Sequence, residues 1–181
     1  MNAANFLVSI LFETYILIIL LRIWLQLARA DFYNPMSQFI VKATQPVVRP
    51  LRRVIPSIGG LDLASVVFAY AVACVMIYTL FGLQTGAVAP IQDVLLFAAI
   101  KLLKQCFSLV FYVLILRAIL SWVSKGSSPI ENVLSQLSEP ILSPIRRIIP
   151  AIGGLDLSML VAILGLQFLQ ILIGDLTGIP F

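Results

Sequence analysis

Two short stretches of the chain carry arginine, glycine and aspartate at the same spacing. Residues 52–63 read RRVIPSIGGLDL and residues 146–157 read RRIIPAIGGLDL, so ten of the twelve positions are identical. Paired arginines bind phosphate oxygens, and glycine N–H groups beside a helix N-terminus also favour an anion. The motif predicts either a site for an anionic lipid headgroup or partner, or a turn in which the arginines anchor the loop and the aspartate caps the next helix and could pair with an arginine. The residues concerned are Arg52, Arg53, Gly59, Gly60 and Asp62 in the first copy and Arg146, Arg147, Gly153, Gly154 and Asp156 in the second.

The composition indicates a membrane protein. The 181 residues are 61% hydrophobic and 11% charged, with a mean hydropathy of +1.07, whereas in soluble domains about a quarter of the residues are charged. Twelve Lys and Arg against eight Asp and Glu give a net charge of +4. Because these basic residues cluster between apolar runs, they indicate cytoplasmic loops rather than a nucleic-acid surface. The chain has no histidine and only two cysteines, so we expect no catalytic residues, no metal site and no cofactor.

Four apolar runs approach or exceed the roughly 20 residues that cross a bilayer. They cover residues 6–28, 63–83, 106–123 and 157–173, and the third could begin earlier because residues 94–105 run into it. Basic residues concentrate in the loops 29–62 and 124–156 and are absent from both termini. We therefore expect both loops in the cytoplasm, with the two termini and the 84–93 turn on the far side.

The two halves of the chain share one organisation. Residues 1–90 and 91–181 each read as span, basic loop and span, and four prolines recur at a spacing of 94 residues. Two spans per unit give both units the same orientation, which is a parallel repeat. We predict an all-α membrane protein with four transmembrane helices in two hairpin repeats, each with a short amphipathic interfacial helix.

The amphipathic helices are predicted from caps and apolar spacing. Ser128 to Glu131 form a capping box, and Ile130, Val133, Leu134 and Leu137 follow on one face. The first loop repeats this pattern more weakly, with Asn34-Pro35 as its start and Met36, Phe39 and Ile40 on one face. The apolar faces could lie in the headgroup plane or pack on the spans. After these helices, the chain is predicted to form only short turns, because of Pro46, Pro50, Pro140 and Pro144.

Ionisable residues inside the spans are candidates for function. Glu13 lies within the first run, and Lys101 or Lys104 is its plausible partner at the same depth. The matching position in the second repeat is Ser108, so the charge is not duplicated, and a structural pair is favoured over a transport role. Arg22 and Arg117 are equivalent residues near the inner ends of their spans, where we expect them to snorkel.

Small residues recur at helical spacing on two of the runs. Ser65, Ala69 and Ala73 form a stripe on the second run, and Ala162 and Gly165 do so on the fourth. Such stripes allow close helix packing. Packing within the monomer is favoured over a dimer face.

Three stretches of the chain resemble the signature of the YggT family, also called YlmG, in its two-repeat proteobacterial form. They are EPILSPIRRIIPAIGGLDLS (139–158), QPVVRPLRRVIPSIGGLDLA (45–64) and RAILSW (117–122). The first repeat departs from the second at Gln45, in place of Glu139, and at Ala64, in place of Ser158.

The resemblance implies a small integral protein of the bacterial inner membrane. Family members are associated with cell division and nucleoid distribution, with cytochrome assembly in plastids, and with osmotic or ion tolerance, without a shared biochemical activity. We expect a non-enzymatic organiser or assembly adaptor that binds anionic lipid headgroups, an unidentified membrane protein or a second copy of itself, and no nucleic acid. The alternative is a transporter or channel that serves ion homeostasis under osmotic stress.

Overall fold

The computed structural model describes residues 3–123, 128–149 and 157–177. Within these ranges the chain forms six α-helices and no strand: α1 (Ala3–Leu27), α2 (Pro35–Leu51), α3 (Leu63–Thr85), α4 (Ile91–Val123), α5 (Pro129–Ile148) and α6 (Leu157–Thr177). α1, α3, α4 and α6 are long and apolar enough to cross a bilayer. The predicted all-α fold with four membrane spans is therefore confirmed, and α2 and α5 are the predicted loop helices. We call the side of α2 and α5 the loop side and the opposite side the terminal side.

The third span is longer than predicted. α4 begins at Ile91 rather than at residue 106, and its 33 residues extend about 50 Å at 1.5 Å per residue. The earlier start that the sequence left open is therefore the one observed, and Lys101 and Lys104 do not mark the outer end of this helix. Instead, Lys101 Nζ lies 2.5 Å from Glu13 Oε1 on α1, and pairing lowers the free energy of a charge at membrane depth.

The loop prolines do not end the helices, contrary to prediction. α2 continues through Pro46 and Pro50, and α5 continues through Pro140 and Pro144. Each proline lacks an N–H and leaves the carbonyl four residues before it without its helical partner. All four prolines are exposed and each pair is four residues apart, so these carbonyls lie on one outer face, where water or headgroups can bond them.

Both loop helices are capped as predicted, and their apolar faces pack on the spans. Asn34 Oδ1 accepts from Met36 N at 2.9 Å, and Ser128 and Glu131 form the reciprocal capping box. In α5, Val133, Leu134 and Leu137 join the buried core, while Ile130 is exposed.

The predicted apolar face of α2 is only partly correct. Met36 and Phe39 are exposed, and the buried stripe is instead Ser37, Ile40, Thr44 and Val48. Two of these four residues are polar, so a search for apolar residues at helical spacing could not identify the buried face.

The small-residue stripe of α3 packs inside the monomer. Ser65, Ala69 and Ala73 are fully buried, and α3 packs along both α1 and α4. In the second repeat Ala162 is buried, but Gly165 is exposed with nothing within 4 Å of an added Cβ. α6 packs on α4 and α5, and among the described residues no comparable packing joins α6 to α1.

Candidate functional site

Arg22 joins the first span to its loop helix. The residue is only 5% exposed. Its Nη1 donates to Thr44 Oγ1 at 2.7 Å and to Val41 O at 3.3 Å, and its Nη2 donates to Gln45 Oε1 at 3.1 Å. The side chain is thus bonded to α2, where the sequence suggested snorkelling toward headgroups.

Arg117 makes the same set of contacts in the second repeat. Its Nη1 donates to Ser138 Oγ and to Ser135 O, the latter at 3.4 Å, and its Nη2 lies 3.4 Å from Glu139 Oε2. These three partners occupy the positions that Thr44, Val41 and Gln45 occupy in the first repeat. The duplication therefore includes an arginine anchor between each first span and the helix beneath it. The two arginines align between the repeats, but their depth predicted snorkelling and not this contact, although a hydroxyl residue recurs at both anchor positions.

Asp62 is the buried carboxylate of the first motif, at 1% exposure. It accepts from Arg52 Nε at 3.1 Å, from Arg52 Nη2 at 2.6 Å and from Ser65 Oγ, and Arg22 Nε lies 3.9 Å away. Asp62 occupies the N-cap position of α3, but its side chain makes no capping bond. The predicted N-cap position and the pairing with an arginine are confirmed, but the predicted capping bond is absent because Arg52 and Ser65 bond the carboxylate.

The electrostatic surroundings keep Asp62 ionised. Burial by itself raises the pKa of a carboxyl group, but the hydrogen bonds from Arg52 and Ser65 and the positive charge of Arg52 outweigh it. The pKa of Asp62 consequently lies below its ordinary value.

The glycine pair forms the tight turn that brings Arg52 to Asp62. Gly59 and Gly60 have φ values of +61° and +86°, and Ile58 and Leu61 exchange backbone hydrogen bonds of 3.1 and 2.9 Å across them. Two consecutive positive φ angles are typical of a type I′ turn and favour glycine. Added Cβ atoms would meet nothing within 4 Å, so conformation rather than close approach requires these glycines.

The turn is also tied to the first span through Gln26. Arg52 Nη2 donates to Gln26 Oε1 at 2.9 Å, and Gln26 Nε2 donates to Gly60 O at 3.3 Å. Arg52 therefore links α1, the turn and the start of α3.

The two arginines of each pair have different surroundings. Arg52 is bonded to Asp62, and Arg146 Nη1 donates to both oxygens of Glu139 at 3.0 and 3.2 Å. Arg53 and Arg147 are exposed, and no ion pair to either is found in the described part of the chain. The motif's first arginine is thus engaged by a carboxylate of its own repeat, whereas the second is exposed. The predicted Gly153, Gly154 and Asp156 lie outside the described residues.

A basic stripe on α2 extends this exposed position. Lys42 and Arg49 are exposed on one helical face, and Arg53 follows in the turn that continues the helix. We call these three residues the basic stripe, and Phe39 precedes them on the same face. The signal available in the sequence was the absence of any acid between Asp31 and Asp62.

A second polar cluster lies between the spans. The predicted pairing of Glu13 with Lys101 is confirmed, and Gln105 Nε2 donates to the Glu13 backbone carbonyl at 3.3 Å. A cavity of about 460 Å³ opens beside the pair, and Lys104 and Gln170 also line it. It lies between α1, α4 and α6.

Within the described residues no three His, Cys, Asp or Glu side chains are grouped so that they could hold a metal ion.

Four apolar spans with two anchored loop helices define a multi-pass α-helical membrane protein. The family model described as CCB3/YggT matches residues 1–83 and 96–177, so the chain belongs to this family, as its motifs predicted.

Relatives support this assignment. The chain is 59% identical to an "Uncharacterized protein in proC 3'region" of Vibrio alginolyticus, over 98% of this chain and 97% of the relative. It is 49% identical to "Uncharacterized protein YggT" of Escherichia coli K12, over 91% and 85%. It is 43% identical to "YlmG homolog protein 2, chloroplastic" of Arabidopsis thaliana, over 30% and 22%. No solved structure matches the chain.

Proposed function

We propose that the chain is a non-enzymatic organiser or assembly adaptor of the bacterial inner membrane, acting in division, envelope maintenance or osmotic stress. Its two loops would face the cytoplasm and its termini the opposite side, as the distribution of basic residues favours. The basic stripe would contact anionic headgroups and so keep α2 at the membrane surface. The observation that carries the proposal is that Lys42 and Arg49 share an exposed face of α2, that Arg53 is exposed in the turn after it, and that buried Arg22 anchors this helix.

The charge of the stripe is sufficient for such a contact. Each Lys or Arg near an anionic leaflet contributes about 1 kcal/mol, so three contribute about 3 kcal/mol before screening. Phe39 is exposed on the same face and can enter the headgroup region. Since α2 is held by Arg22, the stripe is presented without ordering a flexible segment.

An adaptor also needs a surface for a partner. Three large apolar residues flank α2 and are strongly exposed: Tyr33 before it, Val54 just after it, and Ile58 at the start of the glycine turn. Apolar side chains beside a lipid-bound basic stripe favour a partner that is itself at the membrane surface. A membrane protein or a second copy of this chain meets that description.

The lipid contact is tested with the exposed and the engaged arginines compared directly. The variant Lys42→Gln/Arg49→Gln/Arg53→Gln is reconstituted in nanodiscs of phosphatidylcholine with phosphatidylglycerol, and bound phosphatidylglycerol is counted by native mass spectrometry. We expect the variant to lose anionic lipid and most of the salt dependence of binding. The matched variant Arg52→Gln should lower stability but leave the bound lipid unchanged. Equal lipid retention by the triple variant and the wild type would overturn the proposal.

The adaptor role is tested by crosslinking in intact membranes followed by mass spectrometry. A near-stoichiometric partner that the triple variant loses would support recruitment through the loop side. Recovery of the same partner with the triple variant would show that the basic stripe does not take part in binding that partner.

The polar cavity favours transport as the second candidate. Glu13, Lys101 and Gln105 place polar groups between spans, but the space continues toward the loop side along apolar residues such as Ile18, Leu21 and Leu116. Ion flux into proteoliposomes that is lost in Glu13→Gln would favour transport over the organiser. Flux equal to that of empty vesicles would exclude it.

A further inference from the structure

The polar cavity between α1, α4 and α6 reaches the middle of the spans. Its volume is about 460 Å³, and Glu13 and Leu17 of α1 both line it. Counted from Ala3, Glu13 is the eleventh and Leu17 the fifteenth of the 25 residues of α1. Ser108 and Tyr112 of α4, at the matching positions of the second repeat, line the same space. The cavity therefore extends to the centre of the bilayer that these helices cross.

The cavity lies where one helix contact of the first repeat has no counterpart. α3 packs along α4, and Tyr70 Oη donates to Leu95 O at 2.9 Å between them. A symmetric arrangement would pack α6 along α1, but no comparable packing is found in the part of the chain that the structure describes. Gln170 of α6 lines the cavity. α6 is thus a third wall that does not close the space against α1.

An ion pair is exposed to this cavity. Lys101 Nζ lies 2.5 Å from Glu13 Oε1, both residues line the cavity, and their side chains are 27% and 37% exposed. A carboxylate has about four lone-pair sites and an ammonium group three donors, so one contact leaves most of these unused. Water can bond the remainder, whereas an acyl chain can bond none of it. The pair therefore favours water over hydrocarbon in the cavity.

The size and the other lining side chains also suit water. One molecule occupies about 30 Å³ in the liquid, so the cavity has room for on the order of ten. The hydroxyls of Thr14 and Ser108 and the amide of Gln170 line the space together with the ion pair. A buried water needs two to four polar partners, and these groups can supply them.

An apolar groove adjoins the cavity on the loop side. It has a volume of about 250 Å³ and shares Thr14, Leu17 and Tyr112 with the polar cavity. Apart from two of these hydroxyl groups its lining is apolar, and it includes Ile40 of α2 and Leu137 of α5. Apolar cavities of comparable size stay dry. The polar cavity can therefore exchange water with the terminal side but not with the loop side.

We propose that the polar cavity is a blind, water-filled vestibule, open toward the terminal side, in which the pair of Glu13 and Lys101 is hydrated at the centre of the membrane. Water and small polar molecules reach Ser108 from that side, and the apolar groove stops them before α2 and α5. The vestibule does not depend on the organiser role. Transport would require the groove to open as well.

The experiment measures how fast single cysteines react with N-ethylmaleimide, a small neutral reagent that modifies the thiolate form. The background variant is Cys74→Ala/Cys106→Ala in phosphatidylcholine nanodiscs, and mass spectrometry follows the alkylation. Ser108→Cys should react at least about tenfold faster than Leu164→Cys, which lies on the exposed face of α6, because a thiol in hydrocarbon does not ionise. Gln170→Cys provides a second reporter on another wall. Each variant should react completely in sodium dodecyl sulfate.

The blind end has its own reporter. Leu21→Cys lies in the apolar groove and should react as slowly as Leu164→Cys. Reaction of Leu21→Cys at the rate of Ser108→Cys would overturn the proposal, because water would then pass the groove. So would slow reaction of both Ser108→Cys and Gln170→Cys, which would mean that acyl chains fill the cavity or that α6 closes it.

A double variant tests the cause of the hydration. Glu13→Leu/Lys101→Leu replaces both charges together, and such replacement of a whole ion pair is often tolerated by the fold. In this variant Ser108→Cys should slow at least about tenfold, to the rate of Leu164→Cys. An unchanged fast rate would overturn the role of the ion pair. The reaction reports water and not flux, so fast labelling without ion flux in proteoliposomes would support the blind vestibule while excluding transport.

Discussion

Among the described residues, Arg52 of the first repeat meets the carboxylate of Asp62, directly before α3, whereas Arg146 of the second repeat meets that of Glu139, inside α5. Asp62 is almost completely buried, and the Glu139 side chain is 47% exposed. The position of Glu139 is occupied by Gln45 in the first repeat, where Arg22 still bonds it. The anchor is therefore common to both repeats, while an acid at the Glu139 position is present in the second repeat only.

The position of the acid determines the charge of each loop helix. α2 contains Lys42 and Arg49 and no acid, so its outer face is basic. α5 contains Glu131 and Glu139 together with Arg146 and Arg147, so its charges balance. Two nearly identical motifs thus give one basic and one neutral helix. We therefore expect the contact with anionic lipid in the first repeat.

The largest effect should come from removing the buried carboxylate. Asp62→Asn leaves Arg22 and Arg52 without a negative partner, and breaking a buried ion pair lowers the free energy of unfolding by about 3 kcal/mol or more. Glu139→Gln recreates the first repeat's residue at an exposed site and should lower it by no more than about 1 kcal/mol. Denaturant unfolding of both variants in the same detergent measures the difference.

Arg53→Gln provides the control for this pair. Arg53 is exposed and makes no ion pair with the described residues, so its loss should leave the unfolding midpoint nearly unchanged. If Asp62→Asn and Glu139→Gln had equal effects, the contrast between the two repeats would be incorrect.

The next largest effect on stability concerns α3 and α6, the second span of each repeat. Ala73→Leu adds volume to a fully buried site on α3, and overpacking of this kind lowers the free energy of unfolding by about 1–3 kcal/mol. Gly165→Ala places a methyl group in open space on α6 and should raise it by up to about 1 kcal/mol, because alanine is the better helix former. The unfolding temperatures of the two variants in detergent measure whether each change lowers or raises stability. A destabilised Gly165→Ala would indicate that α6 uses this glycine for a close contact.

The arginine anchors should respond equally in the two repeats. Thr44→Val and Ser138→Ala each remove one hydroxyl acceptor from the duplicated arrangement, at about 1 kcal/mol each. Arg22 and Arg117 retain their backbone carbonyl partners in these variants. Unfolding free energies that differ by more than about 1 kcal/mol would show that only one anchor supports the fold.

Elements with strong local signals could be predicted from the sequence. Apolar length indicated the four spans, and the capping box at Ser128 placed the start of α5. The duplicated twelve-residue motif identified the turn with its two glycines at positive φ. The charges at depth suggested the pairing of Glu13 with a lysine, because an unpaired carboxylate is unfavourable there.

Features that depend on tertiary contacts could not be predicted. The sequence placed Asp62 at a helix start and offered an arginine as its partner, but it could not show which arginine, because Arg52 reaches Asp62 only through the glycine turn. The buried face of α2 includes Ser37 and Thr44, so a hydrophobic pattern cannot find it. The cavity between α1, α4 and α6 lies where α6 does not pack along α1 within the described residues, and no residue in either helix indicated this.

The smallest effect should be the pH dependence of the Asp62 pair. The hydrogen bonds from Arg52 and Ser65 lower the pKa of the Asp62 carboxyl group, so this pKa lies below the unfolded value of about 3.9. The stabilisation is therefore fully present above about pH 4 and is lost only as pH falls through the lower pKa of the folded state. The stability difference between wild type and Asp62→Asn should be constant from about pH 8 to pH 5 and should narrow below about pH 4. A difference that narrows near pH 6 would mean that burial dominates over the arginine, and the contrast with Glu139 would then need another cause.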